Sequence, residues 1–508
     1  MRFPFFRKKL SAPEPSRSVR HARFSGYDAA INRPLFGDMS KSRGSADYEI
    51  VTSLDDLRGK TRGLLRNSGM YRRYVWLLRI NVVGENGFRF QSRVKRQDGK
   101  LDVTLNDRVE NAWADFCTAP TVDGEMDMVD LTHLAISTWA QDGEVIWELV
   151  FDQRYPFGFA IDPIESDLLD HTLNITHSNG NQIRMGVEFD TRKRPVAYHF
   201  LTSHPGDLTW FDNGSSKRYR RVPADRVIRM YDRDRVGQTR GVPPAVSTIG
   251  SVHMLDSYRE AETVFRRLMA AMGGFFKKAA PESVPSKISE MADGKGTDFD
   301  GGEVFEMNME PGVFRQIPDG LEPVTVSLGG TSGDYSDFER QQKMDIANGM
   351  NLSTFTVGQE TAGVSYSTGR SVLIEDRNFY KVLQSTFVRG LFTKLFRVWV
   401  RQVIIHPDHD IPATRIAAII AAATFRPRGW DWVDPAKDVS ANTEALATGQ
   451  TSLARVAAQR GIDRDELLDE IAEDKQAAEQ RGLTLDYGGG KNTTTDAQTS
   501  QKQDDADE

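Results

Sequence analysis

Glu144 and Glu148 are of the residue type that makes general acid–base pairs, but they stand in the alternating stretch Glu144-Val-Ile-Trp-Glu-Leu-Val-Phe. On a strand they share one face two pleats apart, an ordinary pattern on a wet sheet surface, and no catalytic role is expected of them. His406-Pro-Asp-His-Asp gathers two histidines and two aspartates in five residues. It follows a helix end, where the dipole favours histidine and proline stops the helix, and this reading is preferred to a metal site. Asp298-Phe-Asp-Gly-Gly-Glu resembles a piece of a calcium loop without the remaining ligand positions or the closing bidentate glutamate. Gly237-Gln-Thr-Arg-Gly-Val-Pro-Pro lacks the Gly-Lys-Ser/Thr ending that holds phosphate and magnesium. Cys117 is the single cysteine, so no intrachain disulfide or multi-cysteine zinc site can form, and it is expected to be a small buried apolar residue. The expectation is a protein with no catalytic residues, no metal and no cofactor.

Composition narrows the class. The 508 residues allow about three domains by the usual length prior, and 39% hydrophobic residues suffice for cores of ordinary size. A formal charge of −7 argues against a protein whose main task is to grip nucleic acid, which needs a basic balance, although sliding contact is compatible with it. Residues 1–45 carry Arg2, Arg7, Lys8, Lys9, Arg17, Arg20, Arg23 and Arg33 among prolines and few aliphatics, the composition of a disordered basic arm. The opening MRFPFFRKKL has too short an apolar segment and the wrong charge order for a secretory signal. Residues 483–508 read as a disordered acidic and polar tail. No apolar run approaches the roughly 20 residues that span a bilayer, and no membrane contact is expected.

Helical spacing of Leu57, Leu64, Tyr71, Val75, Leu78 and Val82 predicts helix over 54–83, open to splitting at Gly59, Gly63 or Gly69. Arg62, Arg66, Arg72, Arg73 and Arg79 lie along it and read as a solvated or ion-paired face. A strand is expected from Phe88, helices over 105–116 and 128–142, and strands over 144–151, 184–189 and 196–201, with a hairpin signal at Ser178-Asn-Gly-Asn. The stretch 235–244 reads as a turn-rich bridge. Three rods follow: 251–272, with Val252, Leu255, Tyr258, Phe265, Leu268 and Met272 on its stripe; 336–350, opened by the capping-box spacing of Ser336 and Glu339; and 365–405, with Tyr380, Leu383, Phe387, Leu391, Leu395 and Trp399 on one face. Between the last two, 351–364 lacks helical periodicity and reads as a mobile loop. Short helices are expected over 435–447, 452–460 and 464–481. The last two have helix-turn-helix length, but Asp463, Asp465, Glu466, Asp469, Glu470, Glu473 and Asp474 would repel phosphate.

The runs RVIRMYDRDRVGQTRGVPPAVSTIGSVHMLDSYREAETVFRRLMAAMGGFF (226–276), VSYSTGRSVLIEDRNFYKVLQ (364–384) and WDWVDPAKDVSANTEALATGQTS (430–452) resemble lambda-type portal proteins of tailed bacteriophages, as does RNSGMYRRYVWLLRINVVGENGFRFQSR (66–93). The resemblance implies an α+β portal fold assembled as a ring of about twelve copies. It implies a wing over 46–249, stem helices over 250–272 and 334–350, a small β-containing clip over 273–333, and a tunnel loop over 351–364. A long wing helix with its return to the wing would occupy 365–432, and a helical crown 433–482. The basic arm has no family role beyond trimming during head maturation. Implied partners are the terminase large subunit, a head-tail adaptor, major capsid and scaffold proteins, and double-stranded DNA passing through without sequence preference. On this resemblance Thr354, Thr356, Gln359, Glu360, Thr361 and Ser365 face DNA. Arg340 and Lys343 line the stem, with inter-subunit ion pairs as the competing reading, and Lys277, Lys278, Lys287 and Lys295 face terminase or adaptor. The alternative class is a packaging- or lysis-associated hydrolase with a carboxylate site.

Overall fold

The computed structural model describes residues 44–177, 180–207, 218–271, 332–361, 363–405, 409–430, 435–462, 464–483 and 485, together with the backbone of four short strands between 275 and 324. The chain divides into two units, Met1–Ser45 and Ala46–Glu508, and the architecture below belongs to the second. The arm over 1–43, the tail over 486–508 and Lys287 lie outside the described residues, and Lys277, Lys278 and Lys295 are placed by their backbone alone.

Helices α1 (Ala46–Val51), α2 (Leu54–Asn67) and α3 (Gly69–Leu78) open this unit. The break falls at Ser68, whose ψ of 120° is extended, while Gly59 and Gly63 stay inside α2, where each costs about 1 kcal/mol relative to alanine. Helix α3 runs on as a π-turn over Arg79–Val83 until Gly84, at φ 73°, stops it. Strand β1 (Arg89–Ser92), α4 (Val103–Thr118) and α5 (Met128–Asp142) follow. Asp127 caps α5 by accepting the Asp130 N–H at 2.7 Å, and Gly143, left-handed at φ 81°, ends it.

Two antiparallel sheets come next. Strands β2 (Glu144–Phe151), β3 (Phe159–Ile164) and β9 (Val227–Tyr231) are ordered β3-β2-β9. Strands β4 (Ile175–Thr176), β5 (Gln182–Arg184), β6 (Val187–Phe189), β7 (Pro195–Leu201) and β8 (Tyr219–Pro223) lie in chain order. The single strand expected over 184–189 is a hairpin: Met185 and Gly186 take φ of 50° and 83°, setting Arg184 opposite Val187. Strand β2 sets the layering by its alternation. Val145, Trp147 and Leu149 join the main core with the helices, while Ile146 joins a second core with Leu169, Val187, Tyr198, Phe200 and Val222. Both faces of β2 are therefore covered.

Helices α6 (Ile249–Ala271) and α7 (Ser332–Gly349) pack as a pair. Tyr258 stacks on Tyr335 at 5.5 Å and meets Phe338 edge-on at 4.9 Å, and Arg259 pairs with Glu339 at 2.5 Å. Helix α7 begins at Ser332, so Ser336 lies within it, and Glu339 reaches across to Arg259 rather than closing a capping box. Between the pair, β10 (Phe275–Lys278) pairs with β13 (Leu321–Val324), and β11 (Gly294–Thr297) with β12 (Glu303–Glu306).

After the short α8 (Thr354–Val357), helix α9 (Tyr366–Phe387), a π-turn (Val388–Phe392) and α10 (Thr393–Val403) form one rod, roughly 57 Å long at 1.5 Å per residue. Its stripe from Tyr380 to Trp399 is buried as the spacing predicted. Beyond Leu383 that stripe advances in fours, and each step of four overshoots a 3.6-residue turn by about 40°. The wider π-turn takes up part of the drift and keeps Leu391, Leu395 and Trp399 on the core. Trp399 meets Trp113 edge-on at 5.1 Å. Helix α11 (Ile416–Ala422) leads into β14 (Ala423–Arg426), which pairs with β1, and α12 (Pro435–Ala447), α13 (Leu453–Gln459) and α14 (Arg464–Glu479) follow. Among the described residues no helix is long and apolar enough to cross a membrane.

Candidate functional site

The even positions of β2 point toward the second sheet, which decides the fate of its two glutamates. Glu144 is 0% and Glu148 6% exposed, which corrects the expectation of a wet surface: the five-stranded sheet, α2 and the 235–244 segment cover that face. Arg58 Nη2 donates to Glu144 Oε1 at 2.8 Å, and Arg240 donates to the same oxygen through Nε at 2.8 Å and Nη2 at 2.5 Å. Arg229 Nε lies 3.6 Å from Oε2. Arg240 also donates to the carbonyls of Leu169 at 2.6 Å and Ser166 at 2.9 Å, and Arg58 to that of Asp142 at 3.1 Å. Glu148 accepts from Arg220 Nη2 at 2.6 Å. Burial alone would raise the Glu144 carboxyl, but Arg240, Arg229 and Arg58 together hold it at about 2. Burial pushes Arg240 down to about 10, still charged at neutral pH. A carboxylate so saturated by guanidiniums cannot take a proton near neutrality, so Glu144 locks elements together and does not serve as a general base. The 235–244 segment is thus no mere bridge: a Cβ on Gly241 would lie 2.1 Å from the Gly143 carbonyl oxygen, a backbone approach only glycine permits.

A second polar junction holds the 351–364 segment. Asp376 of α9, 5% exposed, accepts the Ser353 N–H at 3.0 Å, the Ser353 hydroxyl at 2.7 Å and the Thr356 hydroxyl. Ser353 caps α8 through the Thr356 N–H at 3.2 Å, Arg73 Nε donates to the Thr356 carbonyl at 2.9 Å, and Leu352 and Val357 sit in the main core. The expected free loop is therefore pinned along 352–357. What projects is its second half: Gln359, at φ 53°, and Thr361 are exposed, and the exposed Ser365 caps α9 by accepting the Thr368 N–H at 3.2 Å. Thr354 and Thr356 are half-buried. Arg340 Nε lies 3.1 Å from Glu360 Oε1, and Lys343 Nζ 3.0 Å from Glu339 Oε1. Both cations have acidic partners within their own chain.

Other polar groups are engaged. Of the Arg62–Arg79 series, Arg62 pairs with Asp142 at 2.8 Å and Asp167 at 2.5 Å, and Arg79 lies over the Trp76 ring. Glu188, near His177 and His199, already accepts from Arg221 Nε at 2.8 Å and Asn181 at 2.7 Å. His204 accepts the Gly206 N–H on Nδ1 at 3.0 Å, and its Nε2 lies 3.5 Å from Glu165 Oε2 and 3.7 Å from Asp167 Oδ2. Of the histidine–aspartate run, His409 stacks on Phe157 and Asp410 accepts from Arg108 at 2.7 Å. The calcium-like run lies outside the described residues up to Glu303. Burial pushes the Cys117 thiol up to about 12, that of an inert side chain. Large apolar side chains stay exposed on the rods: Met254, Val264, Phe338 and Met344 on the α6–α7 pair, and Ile374 and Val382 on α9.

A family model described as "Phage portal protein, lambda family" matches residues 33–384. A probable portal protein of Halomonas phage phiHAP-1 is 31% identical over 447 residues, 88% of this chain and 85% of that protein. Portal protein B of Escherichia phage lambda is 21% identical over 93% of each chain. A solved structure titled "Neck of empty GTA particle computed with C6 symmetry" aligns with a TM-score of 0.44 at 12% identity, covering 80% of this chain and 93% of the other.

Proposed function

The chain belongs to the lambda family of phage portal proteins, and we propose that it is one subunit of a ring of about twelve copies at a capsid vertex, the channel through which terminase packages DNA and through which DNA later leaves. The match across residues 33–384 carries this reading. The rods support it: paired helices with Met254, Val264, Phe338 and Met344 exposed need neighbours to cover them, and copies in a ring supply neighbours.

On this proposal α6 and α7 are the stem, 273–333 is the clip that meets terminase and the head-tail adaptor through Lys277, Lys278, Lys287 and Lys295, and 351–364 is the tunnel loop. The rod over Tyr366–Val403 and the two-sheet body form the wing, against major capsid and scaffold proteins, and the helices after 433 form the crown. The protein is a component of the virion with no catalytic step of its own. DNA must slide, so cations that gripped phosphate would stall it. Pairing Arg340 with Glu360 and Lys343 with Glu339 lowers the net positive charge offered to the backbone.

Glu360→Lys tests the loop's place in the channel. The substitution breaks the Arg340 pair and adds a cation beside it, in every subunit of the ring. Rings should form as in the wild type while DNA-filled heads fall by about tenfold or more in a packaging assay. Packaging at the wild-type level would take this loop out of the path of DNA.

A further inference from the structure

Where β9 passes the π-turn of the long rod, the surface opens into a depression of about 320 Å³. Arg229 and Tyr231 line it from β9, Arg233 from just beyond, and Arg389, Gly390 and Lys394 from the rod. Gly390 lets the two elements close together, since a Cβ there would lie 2.5 Å from Met230 Cγ. Four of the lining residues are cations and none is an acid.

Arg233, Arg389 and Lys394 are exposed to solvent around the depression, and Arg229 is buried beneath them. Burial, then Arg229 and Arg233, push the Lys394 ammonium below its ordinary value, and Lys394 Nζ donates to the Arg229 carbonyl at 2.9 Å. Arg229 is 8% exposed, its guanidinium lies 4.2 Å over the Tyr231 ring and donates through Nη2 to the Thr239 carbonyl, and its Nε has no hydrogen-bond acceptor among the described residues. Two nearby acids have other partners. Glu144, 3.6 Å from Arg229, is shared with Arg58 and Arg240, and Asp232 accepts from Trp139 Nε1 at 3.1 Å. Among the described residues Arg389 pairs with no carboxylate, and Arg233 Nε donates to the Tyr231 hydroxyl at 3.1 Å. The rod itself is modified here: Arg389 and Gly390 sit within the Val388–Phe392 π-turn, a distortion that recurs at functional sites.

We propose that this depression is an anion site that takes a phosphate group, with Arg389, Lys394 and Arg233 as its ligands and Arg229 as its floor. A phosphate offers several oxygens and up to two charges to donors arriving from both β9 and the rod, whereas one carboxylate has two oxygens and one charge. The group could be a phosphodiester of a DNA backbone or a free phosphate. The site is complete within one chain and does not depend on ring assembly.

Calorimetric titration of the full-length protein with inorganic phosphate, at constant ionic strength, tests this. Saturable binding is expected, weakened about tenfold by Arg389→Gln and by Lys394→Gln, with Arg397→Gln on the same rod as an unaffected control. Thermal unfolding of each variant separates lost binding from lost fold. Displacement of phosphate by dimethyl phosphate and by a short duplex would assign the site to a nucleic-acid backbone, and resistance to both would assign it to the free dianion. No saturable uptake by the wild type, equal uptake by folded variants, or occupation by poly-glutamate that phosphate cannot displace would each overturn the proposal.

Discussion

Arg240→Ala is expected to destabilise the fold by about 3–5 kcal/mol, the cost of leaving a buried carboxylate short of its partner. Arg240 is wholly buried and supplies two of the three hydrogen bonds Glu144 receives from guanidiniums, while tying down the Leu169 and Ser166 carbonyls. Denaturant unfolding should show the loss, against a change within about 0.5 kcal/mol for the exposed Arg66→Ala. Glu144→Gln should also be severe, because Arg58, Arg229 and Arg240 would then repel one another. The double variant should cost less than the two singles added, which a double-mutant cycle reads directly. The pH dependence has a defined sign. Glu144 is held at about 2 in the fold against an ordinary value of 4.5, so its contribution is full above about pH 4.5 and is lost as pH falls toward 2. That contribution amounts to about 3 kcal/mol by linkage. Asp142, raised by burial, runs the opposite way and blunts the drop.

Asp376→Ala should cost about 2–3 kcal/mol and free the 351–364 segment, because three donors lose one buried acceptor at once. Limited proteolysis reads the local effect: cleavage near Gln359 should speed up while the core around Trp399 stays protected. Ser353→Ala removes one hydroxyl donor and the α8 cap, and should cost about 1 kcal/mol. Cleavage as slow as in the wild type would mean that Leu352, Val357 and the Arg73–Thr356 hydrogen bond anchor the segment without Asp376.

Local signals carried much of the fold. Helix α5 was legible because its apolar spacing ends at Gly143, and the rod because Tyr380 to Trp399 form one stripe. Even the π-turn has a trace in the sequence, the run of fours from Leu383 onward. Local signals are silent where the deciding partner is distant. The alternation of β2 predicts a strand but not its burial: its second cover comes from β4–β8, and its arginines lie 86 residues before Glu144 and 96 after it. Asp376 fixes Ser353 from 23 residues away, so a stretch without periodicity looked free. The Met185–Gly186 turn carries only its glycine as a signal, since methionine is no turn former. Strand β14 is four residues long and makes sense only beside β1. The family resemblance rested on ordered runs of residues, which survive such local misreadings.

The most direct measurement is the mass and shape of the purified full-length protein, by light scattering and negative-stain imaging. The account predicts rings with a central hole and a mass near about twelve times the 57.0 kDa subunit, formed alone or with scaffold and capsid protein present. A chain that stays monomeric or dimeric at high concentration, and still forms no ring when scaffold and capsid protein are added, would contradict it.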